Sequence, residues 1–395
     1  MFVKKLKMIS IIFTSCFLFL ESIVAPLYAF TSPETLQIHG FASQGLVLTS
    51  DNRFFGDSEE GSFDFTELGL NASIRPLPDL QLSAQVLSRR AGEGDNGAPR
   101  LDYGFLDYSI ISDQSRNLGI RLGRVKNPLG FYNDTRDVAF TRPSIILPQS
   151  IYFDRTRNLA LSADGLHFHA DQRTNIGDFF YQLGLVYPDV DDAKTTNVLI
   201  ANKPGQVEGA LSSIGRLIFE REGGRTRIGL SGALVNIRTK SSTTSTEGMI
   251  RFRPLILSAQ YNAEFWSLTS EYALRYLKYQ DVEGFPDFSR TGESFYLQGT
   301  YRFLGKLEAL LRYDVLYQDR NDRSGNKTTG ANPKHSLFAK DWTLGLRWDI
   351  TNTWMSRIEY HYVDGTAWLS SLDNPSPSKT DRYWDMFSIL VSYRF

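Results

Sequence analysis

From Asp341 to Ile350 the chain alternates without a slip. Trp342, Leu344, Leu346, Trp348 and Ile350 share one parity, and Asp341, Thr343, Gly345, Arg347 and Asp349 share the other. A strand sends successive side chains to opposite faces, so this segment reads as a strand with one apolar and one polar face. The same alternation runs through 294–303, and through 307–318, where Leu307, Ala309, Leu311, Tyr313 and Val315 interleave with Glu308, Leu310, Arg312, Asp314 and Leu316. Comparable runs lie near 36–48, 62–74, 79–88, 101–111, 116–123, 164–170, 178–187, 210–220, 225–238, 248–261, 264–278, 354–363 and 383–395. The chain is therefore expected to be all-β, with about sixteen strands and no convincing amphipathic helix.

Alternation alone also fits a soluble sandwich, and length separates the two. Many of these runs exceed ten residues, against the usual five or six of a globular strand. Aromatic residues sit near the ends of the apolar faces, as in Trp342 and Trp348 or Phe295 and Phe303. Connectors alternate between tight ones (262–263, 223–224, 304–306) and long polar ones (50–61, 90–100, 188–208, 239–247, 280–292, 319–340, 364–382). Long tilted strands, aromatic ends and turns that are short on one side only describe a transmembrane β-barrel. Beyond residue 30 no stretch approaches the roughly 18 apolar residues of a membrane helix. Forty-three basic against 44 acidic side chains leave no basic face for nucleic acid. The single cysteine, Cys16, rules out a disulfide framework.

Both termini carry signals. Lys4, Lys5 and Lys7 precede an apolar stretch from Ile9 to Leu20 that is too short to span, and the small Ala29 follows. That order describes an export signal at 1–29, with the barrel domain at 30–395. At the other end Phe387, Ile389, Val391 and Tyr393 alternate up to Phe395. A terminal Phe on an alternating strand, backed by Tyr393, resembles the assembly signal that outer-membrane barrels present to the insertion machinery.

Gly123-Arg124-Val125-Lys126-Asn127-Pro128-Leu129-Gly130 opens the longest irregular stretch, 126–162. A Gly-Arg-x-Lys-x-Pro-x-Gly run after an early strand resembles the start of the constriction loop of Gram-negative porins. The mature chain resembles that superfamily in length, strand number and final Phe. The resemblance implies a sixteen-stranded barrel, commonly a homotrimer in outer-membrane lipid, with its third long loop folded into the lumen. It also implies passive diffusion of small hydrophilic solutes or anions, with Arg124 and Lys126 at the base of that loop. The chain departs from the family pattern after this motif, because the insert is partly apolar from Pro143 to Pro148 and lacks the acidic cluster of cation-preferring porins.

Residues 121–157 hold Arg121, Arg124, Lys126, Arg136, Arg142, Arg155 and Arg157 against Asp134, Asp137 and Asp154, a local net charge of +4. Two readings of that excess stand side by side. In one, the arginines line a narrow pore and draw anions into it. In the other, the acids pair with neighbouring arginines and pin the loop to the wall. Pro128, Pro143 and Pro148 set a fixed non-strand path, and 145–147 and 151–153 are apolar enough to pack it down. His167 and His169 share a face and read as polar lumen residues, not a metal site. Asp189, Asp191 and Asp192 read as a solvated loop. No cofactor is expected. Neither a Gly-x-Ser-x-Gly nor a His-Glu-x-x-His run is present. The alternatives to a porin are a lipase-like barrel enzyme, a hydrophobic-compound transporter and a structural barrel.

Overall fold

The computed structural model describes residues 35–395 except 202, 204, 242–246 and 329–331. The export signal expected at 1–29 lies outside the described residues. Among them are sixteen strands: β1 (Gln37–Thr49), β2 (Ser62–Leu77), β3 (Leu80–Ala91), β4 (Asn96–Ser112), β5 (Arg116–Lys126), β6 (Ser162–Thr174), β7 (Gly177–Pro188), β8 (Gln206–Arg221), β9 (Thr226–Lys240), β10 (Glu247–Asn262), β11 (Trp266–Gln280), β12 (Phe288–Phe303), β13 (Leu307–Tyr317), β14 (Phe338–Asp349), β15 (Trp354–Gly365) and β16 (Tyr383–Arg394). Each pairs antiparallel with its sequence neighbours, and β1 pairs with β16, so the sheet closes on itself. Closure leaves no edge strand with unpaired backbone groups, a necessity for any sheet in lipid.

The parity read from the sequence sets the two surfaces. Leu344, Leu346, Leu311, Leu297 and Leu268 stand exposed on the outside. Trp342, Tyr360 and Tyr362 flank this band towards the long connections, and Trp348, Tyr301 and Trp266 flank it towards the short turns. Such aromatic rings belong where a barrel wall crosses from hydrocarbon to headgroups. The other parity faces inward and is buried, including Arg312, Asp314, Thr343, Arg357 and Glu359.

The β1–β16 seam is closed at its short-turn end by Phe395, whose amide donates to the Gly40 carbonyl at 3.0 Å while the Gly40 amide donates back at 3.3 Å. The Phe395 ring lies where a Cβ on Gly40 would project. Gly40→Val is therefore expected to push the ring off the seam. Heat-shifted gel migration would read this as slower or incomplete barrel closure, against an unchanged folded fraction if the ring has no part in the seam.

The expected loop at 90–100 is shorter than composition indicates. Despite Gly97 and Pro99, β4 begins at Asn96, with Pro99 opposite Ser88 beside a register shift that spares the missing amide. Two short helices were not anticipated, α1 (Arg157–Leu161) and α2 (Ala193–Ile200). Asp192 caps α2 by accepting from the Thr195 amide at 2.9 Å, which gives one residue of the acidic 189–192 run a structural role.

Candidate functional site: a loop across the lumen

Between β5 and β6 the backbone leaves the wall at Asn127 and returns at Leu161. Gly130 makes the first inward turn with φ +59°, and a Cβ there would meet the Tyr152 hydroxyl and the Glu271 carboxylate. Only glycine adopts that conformation at no steric cost and also leaves the space. From this turn the loop crosses to the far wall, and inward-facing side chains on many strands hold its backbone. The Gly130 amide donates to Ser231 Oγ on β9 (2.9 Å) and the Phe131 amide to Glu271 on β11 (2.9 Å). Arg216 on β8 donates to the Gly130 carbonyl (2.8 Å) and pairs with Asp134 (2.6 Å). Arg312 on β13 donates to the Ile146 carbonyl (3.0 Å) and Ser144 Oγ (3.0 Å). Glu359 on β15 accepts from the Ile145 and Ile146 amides at 2.5 and 3.2 Å.

Irregular backbone inside a barrel loses its solvent, so each buried amide and carbonyl needs a partner. The wall charges supply several of them. Apolar contacts complete the seating. Ile145 and Ile146 pack among Val47, Met355, Val363 and Leu390 on the inner wall, while Leu147 and Tyr152 pack with Phe131, Ile218 and Tyr296. The apolar segments at 145–147 and 151–153 thus face the barrel's own interior.

Three of the seven basic residues singled out in the sequence, Lys126, Arg142 and Arg157, sit in one buried ion network. Arg89 on β3 meets Glu67 on β2 (3.2 Å), Asp95, and Asp154 of the loop (2.7 Å). Arg142 meets the other oxygen of Glu67 (2.9 Å), and Arg157 bridges Glu67 and Asp137. Lys126 joins Asp137 to Asp102 (2.5 Å), and Lys194 on α2 reaches Asp95 (3.2 Å). Asp102 is the extra residue of a bulge in the β3–β4 ladder, between Leu101 opposite Val86 and Tyr103 opposite Gln85. That bulge lets an out-of-parity carboxylate turn inward. Arg136 is fully buried and has no carboxylate within 4.0 Å among the described residues, donating to the Tyr152 carbonyl at 2.9 Å.

Arg121 faces the lumen below the loop, paired with Asp107 (2.8 Å), which also holds His169 (2.8 Å). Arg124 does not face the pore. The strand continues past Gly123 in register, so Arg124 keeps the outward parity of Leu122 and forms a two-pronged pair with Asp164 (2.8 and 2.8 Å) beside Asp189 (3.0 Å). Its expected place at the pore base is corrected to the outer rim. Glu67, Arg89, Asp95, Asp102 and Glu271 were missed because their neighbours in sequence do not mark them. For Glu67, Arg89 and Glu271 the available signal was a charge on the inward parity of a strand, whereas Asp95 lies in the connection before β4 and Asp102 in the bulge. Among the described residues no cluster of three or more His, Cys, Asp or Glu could hold a metal ion.

The network sets the loop's acid stability. Burial alone would raise the Asp154 carboxyl, but Arg89, Arg136 and Arg157 hold it down at about 2. Asp137 and Asp95 are likewise held well below the usual range against burial, chiefly by Lys126 and Arg157 in the first case and by Arg89 and Lys194 in the second. For carboxylates depressed in the folded state, the stabilisation is present above the unfolded value near 3.9 and is lost as pH falls through the folded value. The loop is expected to resist pepsin at about pH 4 and to become cleavable only as the pH falls to about 2. Cleavage already complete at the higher pH would contradict the anchoring.

Two cavities line the lumen, with the loop passing between them. One of about 810 Å³ opens among the short turns and is polar, bordered by Arg75, Asp107, Arg121, His169, Arg216 and Arg227. The other, about 380 Å³, lies towards the long connections between the loop, α2 and the inner faces of β9–β12.

No protein-family model matches the chain, and no curated protein matches it. Solved structures do. An anion-selective porin from Comamonas acidovorans superposes with a TM-score of 0.59 at 12% identity, over 91% of this chain and 99% of that one. The outer-membrane channel DcaP of Acinetobacter baumannii gives 0.58 at 12%, over 93% and 100%. The trimer form of OmpT, an outer-membrane protein of Vibrio cholerae, gives 0.57 at 14%, over 91% and 99%. The fold is that of the Gram-negative outer-membrane porins.

Proposed function

We propose that this chain is an outer-membrane porin, a passive diffusion channel for small hydrophilic solutes that leans towards anions, working as a homotrimer after export by its N-terminal signal. The carrying observation is the lumen-crossing loop: a barrel whose third connection on the long-loop side is anchored inside narrows its own channel, and the wall around it is charged. In the network the cations Arg89, Arg100, Lys126, Arg142, Arg157 and Lys194 outnumber the carboxylates Glu67, Asp95, Asp102, Asp137 and Asp154 by six to five among the described residues. That surplus favours anions in a narrow, poorly screened lumen. Most of the loop's positive charge is internally compensated, so the lean rests on this surplus, on Arg136 and on arginines elsewhere in the lumen. Selection is by size and charge, without covalent chemistry. Liposomes carrying the refolded protein should swell in iso-osmotic pentose and glycine, and more slowly in a disaccharide. Folded barrel without swelling would set the diffusion role aside.

A further inference from the structure

The cavity of about 380 Å³ combines two features that seldom meet without a ligand. Its walls are largely apolar, with Leu129, Leu159, Val235, Ile250, Leu277 and Tyr279 among the lining side chains. Three arginines, Arg155 of the loop, Arg275 of β11 and Arg290 of β12, also line it. Among the described residues none of the three has a carboxylate within 4.0 Å, whereas most of the arginines around the loop do. Arg275 donates only to main-chain carbonyls, to Ser150 at 3.0 Å and to Glu293 and Tyr317 at 3.4 Å. Arg155 and Arg275 both lie against the Phe153 ring, at 5.4 and 4.8 Å from its centre, and Arg155 Nε is buried without a hydrogen-bond partner.

Three guanidinium groups without a direct ion pair, with only the more distant Asp314 and Asp319 acting on Arg275 and Arg290, repel one another in an apolar enclosure and have lost water. Burial and the nearby charge of Arg290 push Arg155 down to about 10. An anion entering the cavity would relieve both penalties, since a carboxylate accepts from an arginine fork in two places. An ion with no apolar part would leave the leucine and isoleucine surface unused, and a neutral apolar molecule would leave the charges unanswered. The volume suits one small organic molecule.

We infer that this cavity is a binding site for an organic anion with an apolar body, such as an aromatic carboxylate, whose charged end lies among Arg155, Arg275 and Arg290. The inference deepens the porin reading by naming a solute class, and rests on that reading for the solute's onward passage.

Binding is measured by titration calorimetry on the refolded full-length barrel in detergent, so it does not depend on conduction. The probes are 2-naphthoate, the neutral 2-naphthylmethanol and inorganic phosphate. Naphthoate should bind about tenfold or more tightly than either control, and Arg155→Gln with Arg290→Gln should weaken it by about tenfold or more. Arg275 is left in place because it also anchors the loop. Equal affinity for naphthoate and naphthylmethanol, equal affinity for naphthoate and phosphate, or no binding to folded wild-type protein overturns the site, even if the barrel conducts. Binding by a barrel that passes no current keeps the site and removes the porin reading instead.

Discussion

Replacing Glu67 by alanine is expected to free the lumen-crossing loop while the barrel stays closed. Its two oxygens serve Arg89, Arg142 and Arg157, and all four side chains are at most 3% exposed. Taking away one member of a buried ion pair costs about 3–5 kcal/mol, because the partner is left charged and dry. Here three guanidinium groups lose that partner together, and Arg142 loses its only carboxylate among the described residues. The strand itself continues through position 67, paired with Ser43 and Arg89, so the wall keeps its ladder. Trypsin added to the folded variant should cut after Arg136 and Arg157, both buried in the parent, and single channels should be larger and noisier. Protease resistance equal to the parent's would show that the apolar seat of Ile145 and Ile146 holds the loop unaided.

Glu271→Leu tests the opposite anchor. This buried carboxylate accepts from the Phe131 amide (2.9 Å), the Tyr152 hydroxyl (2.5 Å), Ser258 Oγ (2.5 Å) and the Tyr296 hydroxyl (2.9 Å). Each buried donor left without an acceptor costs roughly 1–3 kcal/mol. The Phe131 amide has a second acceptor in Tyr152 Oη, at 2.9 Å, so the loss falls mainly on the two tyrosines and Ser258. Hydrogen exchange should speed up by orders of magnitude at residues 130–134 and stay slow in β10 and β11. Uniformly raised exchange in the strands would mean that Glu271 stabilises the wall and not the loop.

The barrel was legible because lipid outside and charge inside stamp a period of two on every strand. Asp341–Ile350 shows its orientation without any tertiary information, and the tight turns at 223–224 and 304–306 show on which side the chain turns back. The loop's existence was legible too, from its prolines and from an apolar run that fits no strand. Its partners were not. Glu67 and Arg89 lie far from Arg142 and Arg157 in sequence, and only closure of the sheet brings β2 and β3 beneath the loop. Asp102 was hidden by a bulge that breaks parity. Arg124 misled for the reverse reason: motif similarity put it in the pore, whereas unbroken parity from Leu118 through Leu122 kept it outside. The unpaired arginines at 155, 275 and 290 come from three separate elements, and no local pattern links them.

The central claim, a diffusion channel with a positive lumen, is tested most directly by single-channel recording of the refolded protein in a planar bilayer under a potassium chloride gradient. The account predicts stepwise open channels whose reversal potential lies towards that of chloride. A reversal potential on the potassium side, or silence from protein shown to be folded and inserted, would contradict it.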